Sequence, residues 1–220
     1  MSASVYGYSL AALISLGFLT GCASTQPVPY TGVTSSPQMK PDTQDDSGHI
    51  AYSYNTPTDW NKYSRAILDP VVIYQGKDAQ FDDVTAEQKQ QLAAYMQQQF
   101  GKRVGGRFPL TNAITPGTLR IRLTLTGAQT TTAFLGTFTR FDLMGGPYNI
   151  VQSVRGKQGS FTGSVSYAVE IYDAPSNQLL KAYIAKQYPN SLNIGATWGA
   201  LSAAETGLDK GAEQLQAQLK

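Results

Sequence analysis

Cysteine and histidine are almost missing from this chain. Its 220 residues include one Cys, Cys22, and one His, His49. A single thiol excludes an intrachain disulfide. A single imidazole removes His-based metal sites and leaves a His-dependent triad only one base. Charge is sparse as well. Charged residues make up 15% of the chain, and 17 basic against 15 acidic side chains leave a net charge of +2. The basic residues form no stripe, which excludes a dedicated nucleic-acid binder, because capturing phosphates needs clustered Lys and Arg. The apolar run at residues 10–19 is ten residues long, short of the roughly 20 needed to cross a bilayer as a helix. The length suits one domain able to bury a core without disulfide staples.

The chemical motifs that would mark an enzyme are also missing. Asp42, Asp45 and Asp46 are the densest acids, but they lack the spacing of a calcium loop. The run Gly101-Lys102-Arg103-Val104-Gly105-Gly106-Arg107 is glycine-rich and basic. It follows a predicted helix, whereas phosphate-cradling loops precede one. It reads as a solvated loop, with contact to anionic lipid as the sharper alternative. Serines are frequent, yet none lies in a nucleophile elbow. Glu170 is the one acid on a predicted strand face, without an identifiable carboxylate partner. The expectation is no catalysis, no metal and no cofactor.

What is present is an address. Residues 1–21 carry no charged side chain, and the apolar run leads directly into Leu19-Thr20-Gly21-Cys22. An apolar stretch of this length before small residues fits a secretory signal. The tetrapeptide resembles the lipobox of bacterial lipoproteins. That resemblance implies cleavage before Cys22, a diacylglyceryl thioether on its sulfur and acylation of its new amine. Two or more acyl chains are needed for stable anchoring, at about 0.8 kcal/mol per buried CH₂. One departure is the absence of Lys or Arg before the apolar run. Ala23 and Ser24 follow in place of an Asp, which by the same resemblance points to the outer membrane, facing the periplasm.

Three regions are expected: a signal at 1–21, a lipidated Cys with a flexible tether at 22–58, and one α+β domain at 59–220. The tether holds five of the eleven prolines amid Ser, Thr, Gln and Asp. Without apolar periodicity, such composition is expected to stay unfolded. Residues 23 to about 47 would reach about 25–30 Å as a random coil. His49, at its edge, is expected to be solvated.

The domain opens near Trp60. Ala66–Tyr74 reads as a strand, with Pro70 marking an edge or bulge. Thr85–Phe100 is the clearest helix: Thr85 and Gln88 make a capping box, Leu92, Met96 and Phe100 form an apolar stripe, and Gly101 is placed to stop it. Phe108–Thr111 is a short strand. Thr118–Thr126 alternates strictly, with Leu119, Ile121, Leu123 and Leu125 inward and Arg120, Arg122 and Thr124 on a wet face. Ser164–Tyr172 repeats this pattern, with Ser166 and Glu170 outward. A turn at Asp173–Asn177 leads to a hairpin partner at Gln178–Tyr188. Trp198–Leu219 closes the chain as a helix, in which Gly207 and Gly211 would allow close packing on the sheet. The expected architecture is a mixed, mainly antiparallel sheet with two helices on one face, in the order βαββ-insertion-ββα.

The insertion at Gly127–Phe161 exceeds an ordinary loop. It carries Phe134, Phe138, Phe141 and Tyr148 among other apolar residues. Three readings stand: an irregular layer capping the sheet, a contact surface for a partner or the membrane, or a membrane-inserting hairpin. Arg140 and Asp142 count against the last, since Arg at mid-bilayer on a barrel's lipid face costs about 2–4 kcal/mol.

Trp60-Asn61-Lys62-Tyr63-Ser64, Leu68-Asp69-Pro70-Val71, Phe81, the following helix, Phe108-Pro109-Leu110 and the late hairpin and helix resemble, together with the lipobox, the bacterial lipoprotein family known as domain of unknown function 3313. The likeness covers roughly residues 45–219. It implies no activity and no catalytic residues. The layout is also similar to periplasmic modules such as the amino-terminal domain of TolB and curli-secretion lipoproteins. The expectation is a lipid-anchored module that works by binding an envelope protein. The alternative is an oligomeric secretion or pore-associated subunit using residues 127–161 as a membrane hairpin.

Overall fold

A computed structural model describes residues 26–130, 163–189 and 199–220. They form an α+β fold. Its sheet runs in the order β1 (Lys40–Pro41), β2 (Ile50–Asn55), β8 (Leu179–Gln187), β7 (Ser164–Asp173), β6 (Thr118–Gln129) and β3 (Arg65–Leu68), with β4 (Val72–Ile73) and β5 (Gln80–Phe81) also paired to β6. The pairs among β1, β2, β8, β7 and β6 are antiparallel. The three short strands pair with β6 in parallel, since helix α1 (Ala86–Gly105) returns the chain to the starting end between them. Helix α2 (Ser202–Gln218) lies beside α1 on the same face.

Local signals explain most of these elements. The Thr85 hydroxyl accepts from the Gln88 amide at 3.3 Å, and the Gln88 side chain accepts from the Thr85 amide at 2.9 Å, closing the capping box. The α1 stripe is Leu92, Ala93, Met96, Phe100 and Val104, all buried. It continues past Gly101, because Val104 extends the same apolar face by one more turn. The expected basic loop is therefore partly helix, and Arg103 pairs with Glu213 of α2 at 2.9 Å. The expected strand Ala66–Tyr74 is split at Asp69–Val71, around Pro70, and the Val71 amide donates to the Gln97 side chain instead. Phe108–Thr111 contributes only a bridge between Leu110 and Ala66. Residues 127–129, expected within the insertion, complete β6.

The front core joins both helices to Leu119, Ile121, Leu123, Leu125, Val165, Tyr167, Val169, Ile171 and Tyr183. The close approach of α2 depends on its glycines. A Cβ on Gly207 would lie 2.9 Å from Val165 Cγ1, and one on Gly211 would lie 2.1 Å from the Tyr167 hydroxyl oxygen.

The opposite face departs from expectation. Residues 26–47 do not behave as a free tether: 26–39 pack across the back of the sheet, and Lys40–Pro41 pairs with β2. Tyr30 is fully buried, and with Val33 and Met39 it meets Tyr74, Ala168, Tyr172, Leu179, Ala182 and Ile184. Backbone hydrogen bonds of successive turns at residues 30–39 satisfy the segment internally, as a buried irregular chain requires. β2 then adds to the edge of β8. Composition alone does not reveal this packing, because the docking surface for these few apolar residues comes from distant strands. His49 is likewise drawn in: its Nδ1 lies 3.0 Å from the Lys186 carbonyl, and its ring packs on Tyr188 at 4.6 Å.

The covering segment also reverses the expected wet face of β7. Glu170 is 4% exposed and accepts from the Ser35 amide at 2.8 Å and from the Tyr172 hydroxyl at 3.0 Å. Arg122 lies over the Tyr172 ring, and Asp69 accepts from the Nε atoms of Arg120 and Arg122 at 2.8 and 3.3 Å. Burial, reinforced by Glu170, pushes the Tyr172 hydroxyl up to about 12.

Gly211→Ala is expected to lower stability by about 1–3 kcal/mol, as overpacking does. Adding Tyr167→Phe should restore part of that loss, since the hydroxyl is the first atom struck. A double-mutant cycle by thermal unfolding measures the coupling. Additive effects would refute the contact.

Candidate functional site

At the end of the sheet where the covering segment begins, a small opening remains beside it. There, Gln80 of β5, Asp82, Ala128 and Gln129 of β6, Ser164 and Ser166 of β7 and Lys186 of β8 line a small cleft with a cavity of about 10 Å³, room for about one water-sized group. The register explains the grouping: Ser166 lies directly opposite Lys186, and Ser164 opposite Gln129. Gln129 donates to Asp82 at 2.7 Å, and the Ser164 hydroxyl donates to Gln129 at 3.0 Å. Ser164, Ser166 and Lys186 are each at most 5% exposed. The Tyr30 hydroxyl donates to Gln80 at 3.0 Å, and Gln80 in turn donates to the Gln26 carbonyl at 2.9 Å.

Burial disfavours the charged amine of Lys186 and brings it down to about 8, while nearby Asp82 acts in the opposite direction. Such an amine takes up or releases a proton close to physiological pH, and in its charged form it attracts an anionic group. The cleft is smaller than the roughly 300–1,000 Å³ usual for small-molecule pockets. It fits a single polar group better than an enclosed cofactor. Among the described residues, no three His, Cys, Asp or Glu side chains converge as a metal site.

None of the expected site residues falls in this cleft. Cys22 and the insertion residues Phe134, Phe138, Phe141 and Tyr148 lie outside the described residues. The cleft itself was missed because its members come from four strands. A signal was nonetheless available: a hairpin turn at 173–178 sets Ser166 across from Lys186, and both share the parity of Glu170.

Across residues 29–215 the sequence matches the family described as "Protein of unknown function (DUF3313)". The chain belongs to that family. No curated protein matches it. Among solved structures it is similar to a PelC dodecamer from Paraburkholderia phytofirmans, at 10% identity and a TM-score of 0.39 over 74% of this chain and 94% of that one. Protein XCC0632 from Xanthomonas campestris, of family DUF330, shows 9% identity and a TM-score of 0.37 over 75% and 89%. A DUF4136 family protein, BT2437, from Bacteroides thetaiotaomicron VPI-5482 shows 11% identity and a TM-score of 0.35 over 77% and 97%. Likeness at this distance says nothing about activity.

The folded state releases the Lys186 proton near pH 8, whereas an unfolded lysine holds it to about 10.5. Between those values the unfolded chain binds more protons, so stability rises with pH. Native stability relative to Lys186→Met is expected to be flat below pH 8 and to climb toward pH 10.5. Denaturant titrations across pH measure this, and a flat difference throughout would contradict it.

Proposed function

We propose that this chain is a lipid-anchored binding module of the bacterial outer membrane, facing the periplasm and acting without catalysis. The observation that carries the reading is Leu19-Thr20-Gly21-Cys22, placed directly after a ten-residue apolar run. Membership of an uncharacterised family agrees with it but adds no activity. Attachment is the role of Cys22. Binding of an envelope protein falls to Phe134, Phe138, Phe141 and Tyr148 of the insertion. Support for that assignment is positional: the insertion leaves and re-enters the fold beside the polar cleft, at Thr130 after β6 and Gly163 before β7.

The second reading is a secretion or pore subunit. It has one observation in its favour: β6 and β7 are antiparallel neighbours still paired at Gln129 and Ser164, the arrangement from which a hairpin would continue.

Cys22→Ser is expected to move the protein from the membrane fraction to the soluble periplasm and to abolish labelling by a fatty-acid analogue. Retention in the membrane with unchanged labelling would end the anchor reading. Substituting Phe134, Phe138 and Phe141 with Ser should leave the thermal transition intact and remove unlike partners from a crosslinked, detergent-solubilised pull-down. A detergent-stable ring of identical subunits would favour the pore instead.

A further inference from the structure

How the domain sits on a membrane depends on where its packed part begins. Gln26 is already held, through its carbonyl and the Gln80 side chain. Pro27 is buried, and Tyr30 binds the same glutamine. Gln80 pairs with Gly127, close to the last residue of β6. The covering segment therefore enters the fold at the cleft end of the sheet, not at its middle or its far end.

Four peptide links separate Cys22 from Gln26. Whatever conformation they take, they span at most about 14 Å. Strand β6 alone has 12 residues, about 40 Å of extended chain. An anchor at Cys22 cannot let the cleft end drift away, while the turn at Pro175–Asn177 lies a full strand length off. The 25–30 Å of slack expected from composition is not available, because residues from Gln26 onward are packed.

We infer that the cleft end, marked by Gln26, Gln80, Asp82 and Thr130, faces the lipid headgroup layer at contact distance. This rests on the anchor reading above. The chemistry of that end suits headgroups. Asp82 and Asp83 are exposed acids there, Lys186 supplies a recessed amine, and Thr85 opens α1 at the same end. Exposed acids can meet the ammonium of a zwitterionic headgroup and are repelled by a strongly anionic layer. Among the described residues, the exposed large hydrophobics Val72, Leu110 and Ile114 lie away from the cleft, and Val28, between Gln26 and Tyr30, is the one near this end. Contact at headgroup level follows.

The test uses the lipidated full chain in vesicles of phosphatidylethanolamine and phosphatidylcholine. The Cys22 sulfur is consumed by the thioether, so an introduced thiol is the one site for a fluorophore. Ala86 at the start of α1 and Ala113 in the far-end loop are both exposed, and Ala86→Cys and Ala113→Cys are mild changes. Vesicle flotation is measured first, then quenching by headgroup-nitroxide lipid. The expected result is severalfold stronger quenching at position 86 than at 113. Inserting about 20 Gly and Ser residues after Ser24 gives roughly 25 Å of slack and should abolish the contrast. Equal quenching in the native-length chain, or stronger quenching at 113, overturns the orientation while Cys22-dependent flotation leaves the anchor standing. Failure to float ends both. An unquenched Ala86→Cys label that becomes shielded only when envelope proteins are added assigns this end to a protein partner and overturns the lipid contact.

Discussion

Strand β7 must hide both of its faces, and the rest of the molecule is arranged around that requirement. Nine of its ten residues are buried. Its front carries Val165, Tyr167, Val169 and Ile171, a surface that two amphipathic helices cover. Its back carries Ala168 and Tyr172 but also Ser166 and Glu170, a mixed surface that no helix with a uniform apolar stripe could cover without stranding polar groups. An irregular segment suits it better. Tyr30, Val33 and Met39 meet the apolar part, while the Ser35 amide is free to donate to Glu170. Each buried aromatic or aliphatic side chain contributes about 1.5–3 kcal/mol of transfer free energy. A Glu170 left without its donors would cost a comparable amount.

The same requirement explains where the polar cleft falls. The covering segment runs from Gln26 at one end of the sheet and leaves the last register of β6, β7 and β8 to side chains that satisfy one another. Gln129, Asp82 and Ser164 do so through hydrogen bonds. Lys186 is buried by its strand position, opposite Ser166, and its lowered proton affinity is the consequence of that loss of solvent. Arg120 and Arg122, toward the other end of β6, remain partly exposed and share Asp69. The two ends of one sheet face thus differ in character: shared ion pairs at one, a recessed amine at the other.

Much of the fold was legible along the chain. The capping box at Thr85, the Leu92–Met96–Phe100 stripe, the alternation of Leu119–Leu125 and the turn at 173–177 are local patterns, and each produced the element it implied. Gly207 and Gly211 were readable as contact glycines in α2. Three readings failed for one shared reason. Gly101 did not stop α1, residues 26–47 did not stay free, and Glu170 did not stay wet. In each case a partner distant in sequence outweighed the local preference: the sheet beneath Val104, the strands beneath Tyr30 and the amide of Ser35. The cleft was illegible on the same ground, being assembled from β5, β6, β7 and β8.

The sequence by itself determined the long elements α1, β6, β7, β8 and α2, because capping, periodicity and turn chemistry act over a few residues; the short strands β1, β3, β4 and β5 depend on the neighbours they pair with. It also displayed the Cys22 motif, which is linear and needs no fold to be read. Tertiary structure alone decided which polar residues are buried and what the proline-rich segment does. Burial is a property of two surfaces meeting, and the chain carries those surfaces more than a hundred residues apart, as Ser35 and Glu170 show.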